Sequence, residues 1–387
     1  MDINTPLALL GGISPQQFMR RYWQKKPLLV RGAVPDMVPP IPRAQLFDLA
    51  GQEGVESRLI QHGGKNGQVW TLRHGPFGRR SLPPTTQPGW TLLVQGVDLH
   101  HQGIHDLLNQ FRFLPDARLD DLMISYASDR GGVGPHFDSY DVFLLQAAGR
   151  RRWSIGRQRD MRLQEGVPLK ILERFEPEQS FVLEPGDMLY LPPRYAHDGV
   201  AEGTDCMTYS IGLRSPAKRH LGADLLARVA EAHAEELEHA PVAQTAHTHY
   251  RDPGQAAVEA PAAMPAELQA FAREAVALAL RSPDAIERAL GESMTEPKAN
   301  VWFDDDGDVP PQPWQRVVLD RRTRMLYDAR HIYINGESFL AGGRDATLMR
   351  RLADRRELQA RDLARASDGA LELLADWCEA GWAHAEQ

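Results

Sequence analysis

Residues 131–153 read GGVGPHFDSYDVFLLQAAGRRRW. His136 and Asp138 stand two positions apart in a run that alternates like a strand, and on a strand residues i and i+2 share a face. Both side chains then reach one metal ion while Phe137 turns the other way. An HxD pair alone carries little weight, and a lone His136 reads equally as a polar residue at a strand start. The surroundings add to it. A Gly-rich approach lets backbone pass close to a site, the apolar strand VFLLQ follows, and then a basic turn, Arg150-Arg151-Arg152-Trp153. Downstream, EPGDMLYLPPRYAH (184–197) reads as turn, strand, turn and then His197, fifty-nine residues beyond Asp138 and just ahead of a second apolar strand, CMTYSIGL. Two imidazoles and one carboxylate with open positions left over suit non-haem Fe(II) and oxygen chemistry. The order of strands and turns is that of a double-stranded β-helix with its metal ligands at the barrel mouth.

The segment from about Leu92 to Arg214 resembles the JmjC-type cupin oxygenases dependent on 2-oxoglutarate. More narrowly, GVGPHFDSYDVFLLQAAGRRRW and EPGDMLYLPPRYAHDG resemble the bacterial ribosomal oxygenases, arginine hydroxylases of a large-subunit ribosomal protein, L-sixteen. FMRRYWQKKPLLVRGAV is similar to that family's N-terminal entry, and the regions after residue 215 follow its order of a helical block and a winged helix. The resemblance implies iron held by His136, Asp138 and His197, 2-oxoglutarate as cofactor, O2 as co-substrate, a ribosomal protein as partner, and a homodimer.

The resemblance also assigns further residues. In the strand DDLMISYAS, alternation puts Asp121, Met123, Ser125 and Ala127 on one face. The family position of Ser125 helps bind the 2-oxoglutarate tail carboxylate, and those of Asp121 and Met123 line the substrate arginine. Read without the family, Asp121 is a solvated carboxylate at a strand entry and Ser125 a core hydroxyl bonded to backbone. Three successive arginines are commonly just a basic turn. A guanidinium fork, however, can hold a carboxylate through two parallel hydrogen bonds. Arg151 lies fifteen residues beyond His136, the offset at which a basic residue takes this role in similar enzymes, with Arg150 and Arg152 on the opposite face. Tyr140 shares the parity of His136 and Asp138. In the family an aromatic there packs on the substrate, with cation–π attraction to a guanidinium as the physical reason; a rim tyrosine packed on its own barrel is the other reading. Thr208 and Ser210 are candidates to complete the cofactor pocket.

With 387 residues, 42% hydrophobic and 25% charged, the chain has the composition of a globular protein of two or three domains. No apolar run approaches the roughly 18–20 residues of a membrane span. The first residues, MDINTPLALLGGISPQQF, lack the basic start and cleavage site of a signal peptide. Two cysteines, Cys206 and Cys378, cannot build a disulfide framework, so a reducing cytoplasm is expected. The net charge of −8 fits a basic protein partner better than nucleic acid, which is expected only through the ribosome.

Four regions are expected: 1–91 leading into the cupin, 92–214 as a mostly β catalytic core, 215–300 as a helical dimerisation block, and 301–387 as a winged-helix-like domain. Ser14-Pro15 caps a first helix, and SRLIQHGGKNGQVWTLRHG reads as a hairpin turning at Gly63, Gly64, Asn66 and Gly67. Residues 240–264 read as a mobile connection, and His247 and His249 within it as solvated rather than metal-binding. Asn335-Gly336 marks a tight turn. In ATLMRRLADRRELQARDLAR, arginines alternate with acids, which favours protein packing over a nucleic-acid face. The expected activity is hydroxylation of an arginine side chain of the ribosomal protein. The rivals are demethylation of lysine or arginine with the same iron chemistry, and a non-enzymatic cupin and winged-helix scaffold.

Overall fold

The run VFLL (142–145) is apolar at every position, and the computed structural model, which describes residues 2–63, 70–239, 249–257, 260–281, 284–304 and 309–387, shows why. Phe143 and Leu145 belong to one hydrophobic core, whereas Val142 and Leu144 face a second one inside the barrel. A strand buried on both faces needs no polar alternation. The chain divides into two compact units, Met1–Ser215 and Pro216–Gln387.

The first unit is built on a nine-stranded antiparallel sheet. Its strands are β1 (Leu28–Val30), β2 (Ser57–His62), β3 (Trp70–His74), β4 (Trp90–Val94), β5 (Leu119–Ala127), β6 (Val142–Arg157), β7 (Gln179–Leu183), β8 (Met188–Leu191) and β9 (Tyr195–Leu213). Their order is β1-β8-β6-β9-β5-β4-β2-β3, with β7 added to the far half of β6. The long strands β6 and β9 pair from Val142↔Gly212 to Arg157↔Tyr195, with register shifts between Gln146 and Arg150. Such bulges bend a strand, and they let one pair serve both halves of the double-stranded β-helix. Buried Gln146 holds the bend: its amide donates to the Ala148 carbonyl at 2.7 Å and its Oε1 accepts from Thr208 Oγ1 at 2.9 Å.

Three short helices, α1 (Pro15–Arg21), α2 (Arg43–Leu49) and α3 (Gln102–Asn109), accompany the sheet. Ser14 caps α1 in a capping box with Gln17, as its sequence implies. Phe18 of α1 is fully buried edge-on to Tyr190 of β8, with ring centroids 5.0 Å apart. The Tyr190 hydroxyl donates to buried Asp141 at 2.6 Å, and Gln24 Nε2 donates to the same carboxylate at 2.9 Å. That network clamps the segment after α1 to the base of the strand that follows the HxD pair. Gly63 ends β2 with a positive φ of 83°, while Gly64, Asn66 and Gly67 lie outside the described residues, as does His247.

The second unit opens with helices α4 (Lys218–His239), α5 (Ala266–Ala279) and α6 (Ala285–Thr295). Two three-stranded sheets follow: β10 (Arg316–Leu319) paired with β14 (Glu357–Gln359) and β15 (Ala383–Glu386), and β11 (Met325–Tyr327), β12 (His331–Ile334) and β13 (Glu337–Leu340) in sequence order. Asn335 and Gly336, with φ of 48° and 93°, make the turn between β12 and β13, the positive-φ pair that a type I′ hairpin requires. Helices α7 (Gly343–Arg355), α8 (Ala360–Leu363) and α9 (Asp368–Glu379) pack on a core centred on Leu352, Leu374 and Trp377.

Candidate metal and cofactor site

A cavity of about 300 Å³ opens in the first unit, lined by residues of β2, β4, β5, β6 and β9 and of the loops before β6 and β7. His136, Asp138 and His197 meet there. Each offers one ligand atom, and the three atoms lie within 4.8 Å of one another. His136 and His197 face each other across an antiparallel bridge, exchanging backbone hydrogen bonds of 3.0 and 2.8 Å. The HxD pair does not lie on a regular strand, however. Strand β6 begins only at Val142, and His136 makes an isolated bridge. The loop is held instead by Arg194 N donating to the Asp138 carbonyl at 2.7 Å. The glycines before it serve close approach: a Cβ on Gly131 would sit 2.3 Å from the Trp90 carbonyl oxygen, and one on Gly132 2.6 Å from that of Gly199.

The two imidazoles are oriented from behind. His136 Nδ1 lies 2.9 Å from the Gly134 carbonyl oxygen and His197 Nδ1 3.0 Å from that of Tyr195. A carbonyl only accepts, so Nδ1 carries the proton in both rings and Nε2 keeps its lone pair for a metal. His197 Nε2 lies 3.6 Å from Asp138 Oδ2. Burial first, and then the neighbouring His136 ring, push the His197 imidazole below its ordinary range, so it stays neutral, the form that ligates.

Arg151 is 3% exposed and lines the same cavity, while its neighbours Arg150 and Arg152 are exposed. Its guanidinium lies 5.6 Å from the Trp153 ring, and its Nε and Nη2 are buried with no hydrogen-bond partner. A desolvated cation with free donors is costly unless it meets an anion. This observation, with a donor set of two imidazoles and a carboxylate, fits a divalent transition metal next to a carboxylate-bearing cofactor. Trp153 is itself locked, since a Cβ on Gly199 would come within 2.6 Å of its ring.

Asp121, Met123 and Ser125 of β5 and Tyr140 of the loop all line the cavity. Ser125 Oγ donates to the Thr208 carbonyl at 3.3 Å. Asp121 is 2% exposed, which removes the reading of a solvated carboxylate, and Gln95 Nε2 donates to its two oxygens at 3.1 and 2.8 Å. Tyr140, at 38% exposed, stands at the rim. Ser210 reaches the cavity, but the Thr208 hydroxyl is spent on Gln146 at the β6 bend.

Arg58 and Lys170, which the sequence did not single out, also line the cavity, as does Gln95. Arg58 Nη2 donates to Gln95 Oε1 at 3.1 Å, so a relay from Arg58 through Gln95 reaches Asp121. The alternation of SRLIQ, which puts Arg58 and Ile60 on one face, was the available signal.

Comparison with known proteins agrees with this geometry. Residues 106–221 match the family model described as JmjC domain, and residues 275–384 match that of a ROXA-like winged helix. The ribosomal protein uL16 3-hydroxylase of Escherichia coli K12 is 41% identical over 207 residues, 53% of this chain and 53% of that protein. The aligned stretch thus spans about half the length of the curated relative. The crystal structure of E. coli YcfD superposes with a TM-score of 0.79 at 30% identity, covering 96% of this chain and 98% of that one. The structure of YcfD, a ribosomal oxygenase from E. coli, in complex with cobalt and 2-oxoglutarate gives 0.76 at 29% identity, covering 96% and 98%.

Proposed function

The chain belongs to the family of JmjC-type ribosomal oxygenases, and on that footing we propose that it is an Fe(II)- and 2-oxoglutarate-dependent hydroxylase of an arginine side chain in a large-subunit ribosomal protein of the uL16 type. One observation carries the reading: three metal donors and a buried guanidinium whose Nε and Nη2 lack hydrogen-bond partners open into one cavity. His136, Asp138 and His197 would hold the iron and Arg151 the distal carboxylate of 2-oxoglutarate, with Ser125 beside it. When bound, iron and 2-oxoglutarate supply oxidation of a C–H bond to an alcohol at the expense of O2, with the 2-oxo acid leaving as succinate and CO2.

The protein's own part is placement. The carbonyls of Gly134 and Tyr195 keep both imidazoles in the ligating tautomer. Val142, Leu144 and Trp153 form an apolar wall that keeps water from the reacting carbon. At the open side Asp121, fixed by Gln95, would receive the substrate guanidinium, with Met123 along its stem and the face of Tyr140 against it. An acidic residue held at 2% exposure suits a cationic side chain that brings its own charge into the site.

A scaffold has no use for a desolvated arginine beside three convergent ligands, each of which costs stability. Demethylation would use the same iron, so the product decides. Purified protein with iron, ascorbate and 2-oxoglutarate is incubated with total ribosomal proteins and the digests are mapped by mass. One added oxygen on an arginine peptide, absent with His136→Ala, supports the reading. Loss of a methyl group with formaldehyde overturns it in favour of a demethylase.

The homodimer belongs to the same proposal. Helix α5 has no buried residue, and Leu226, Val276, Leu278 and Ile286 of α4–α6 are 51–65% exposed, an apolar surface of the kind that a second copy covers. Light scattering on the full chain tests it, a mass of one chain at micromolar concentration being the adverse result. The inferred place of action is the cytoplasm. Among the described residues no helix is long and apolar enough to cross a membrane, and both cysteines are free thiols.

A further inference from the structure

Residues 343–366 carry seven arginines and four acids that alternate along the chain. In space they are sorted. Asp345 accepts from the Ser367 hydroxyl at 2.7 Å, Asp354 from the Tyr327 hydroxyl at 3.1 Å, and Glu357 from Arg316 at 2.5 Å. Arg350 is turned to the Ala329 carbonyl and Arg356 to those of Asp320 and Thr323. Arg344 lies 4.0 Å from Asp345, and the other four arginines, Arg351, Arg355, Arg361 and Arg365, line with Asp362 a concavity of about 290 Å³ between the end of α7 and α8. Asp362 is 3% exposed and already paired with Arg351. Arg355, Arg361 and Arg365 are exposed, and among the described residues their guanidinium groups make no hydrogen bond or salt bridge.

Four guanidinium groups around one hollow, with a single carboxylate that is spoken for, form a concentrated positive site on a chain of net charge −8. Like charges gather at such density only at a cost in repulsion, which a multivalent oxyanion relieves. Guanidinium forks match phosphate oxygens pairwise. Helix α9, which follows α8 as the second helix of a helix–turn–helix would, carries Asp368, Glu372, Asp376 and Glu379 and no basic residue. It would be repelled by a nucleic-acid groove, so recognition here is of phosphate and not of base edges.

We infer that the arginine hollow between α7 and α8 is a phosphate-binding site. Its ligand is either free phosphate or the phosphodiester backbone of an RNA, and the inference stands independently of the activity proposed above.

The test uses the full chain and two charge-matched double variants: Arg361→Ala/Arg365→Ala in the hollow, and Arg273→Ala/Arg281→Ala on exposed positions outside it. The probes are a fluorescently labelled oligo(U) RNA and inorganic phosphate, followed by anisotropy and by calorimetry. For RNA, the hollow variant is expected to bind at least tenfold more weakly than wild type and the control within twofold. Each lost contact to a single strand should flatten the slope of log Kd against log salt by about 0.7. If only inorganic phosphate binds, and only the hollow variant loses it, the site takes the free anion. Equal weakening of both variants, or no binding of either probe to wild type, overturns the inference.

Discussion

Replacing Arg151 by methionine keeps a long unbranched side chain and removes the charge, and it should move stability and cofactor affinity in opposite directions. The guanidinium is 3% exposed with two donors that lack a hydrogen-bond partner; it lies 5.6 Å from the Trp153 ring and is attracted by the Asp198 carboxylate. An unsatisfied buried donor costs about 1–3 kcal/mol, whereas a cation–π contact returns about 0.5–2 kcal/mol. The cofactor-free Arg151→Met protein should therefore be more stable than wild type by about 1 kcal/mol, a Tm gain of about 2–4 °C for a unit of this size. With 2-oxoglutarate the order reverses. Removing one partner of a buried charge pair costs about 2–5 kcal/mol, which is roughly a 30- to several-thousand-fold loss of affinity. Thermal shift with and without 2-oxoglutarate in the presence of Co(II), together with an equilibrium titration, reads both effects. A variant that is destabilised without cofactor and still binds 2-oxoglutarate within threefold of wild type would refute the role given to Arg151.

Gln95→Leu frees Asp121 from two hydrogen bonds. It should raise KM for the ribosomal substrate about tenfold, as for a charge-assisted bond of about 1.5 kcal/mol, with KM for 2-oxoglutarate unchanged in steady-state assays. Gly199→Ala drives a Cβ into the Trp153 ring and should cost about 1–3 kcal/mol in denaturant unfolding, with weaker 2-oxoglutarate binding as Trp153 moves under Arg151. Burial would raise the Asp320 carboxyl, but hydrogen bonds from Arg322 and His384 prevail and pull it from 3.8 to about 2. A depressed folded value gives stability that is full above the unfolded value and is lost as pH falls through the folded one. The stability gap between wild type and Asp320→Asn should thus be about 2 kcal/mol at neutral pH and shrink between about pH 4 and 2. A gap that stays constant on acidification would contradict this.

The ligand residues were legible because two imidazoles and a carboxylate near apolar strands are few in any chain. The parity of Arg151 was legible because a strand's period of two puts one arginine of three inward. The backbone at the HxD pair was not: its alternation imitates a strand, yet no neighbour pairs beyond His136, since Arg194 meets the Asp138 carbonyl from a turn. Thr208 looked like a pocket residue by position on β9, but the bulge at Gln146 captures its hydroxyl. Arg58 on β2 and Gln95 just past the end of β4 are brought beside β5 by strand register alone, and pairing across such separations leaves no local trace. In the second unit, arginines that alternate with acids in the text are segregated once helix ends and turns give each acid its partner.

The central claim is that His136, Asp138 and His197 together hold one iron to which 2-oxoglutarate is joined. Anaerobic titration of the protein with Fe(II) and 2-oxoglutarate, followed by visible absorption, addresses it directly. One charge-transfer band saturating at one metal per chain, and abolished by His197→Ala while the fold is retained, is the predicted result. A band that survives that substitution, or none in the wild type despite bound iron, would contradict the account.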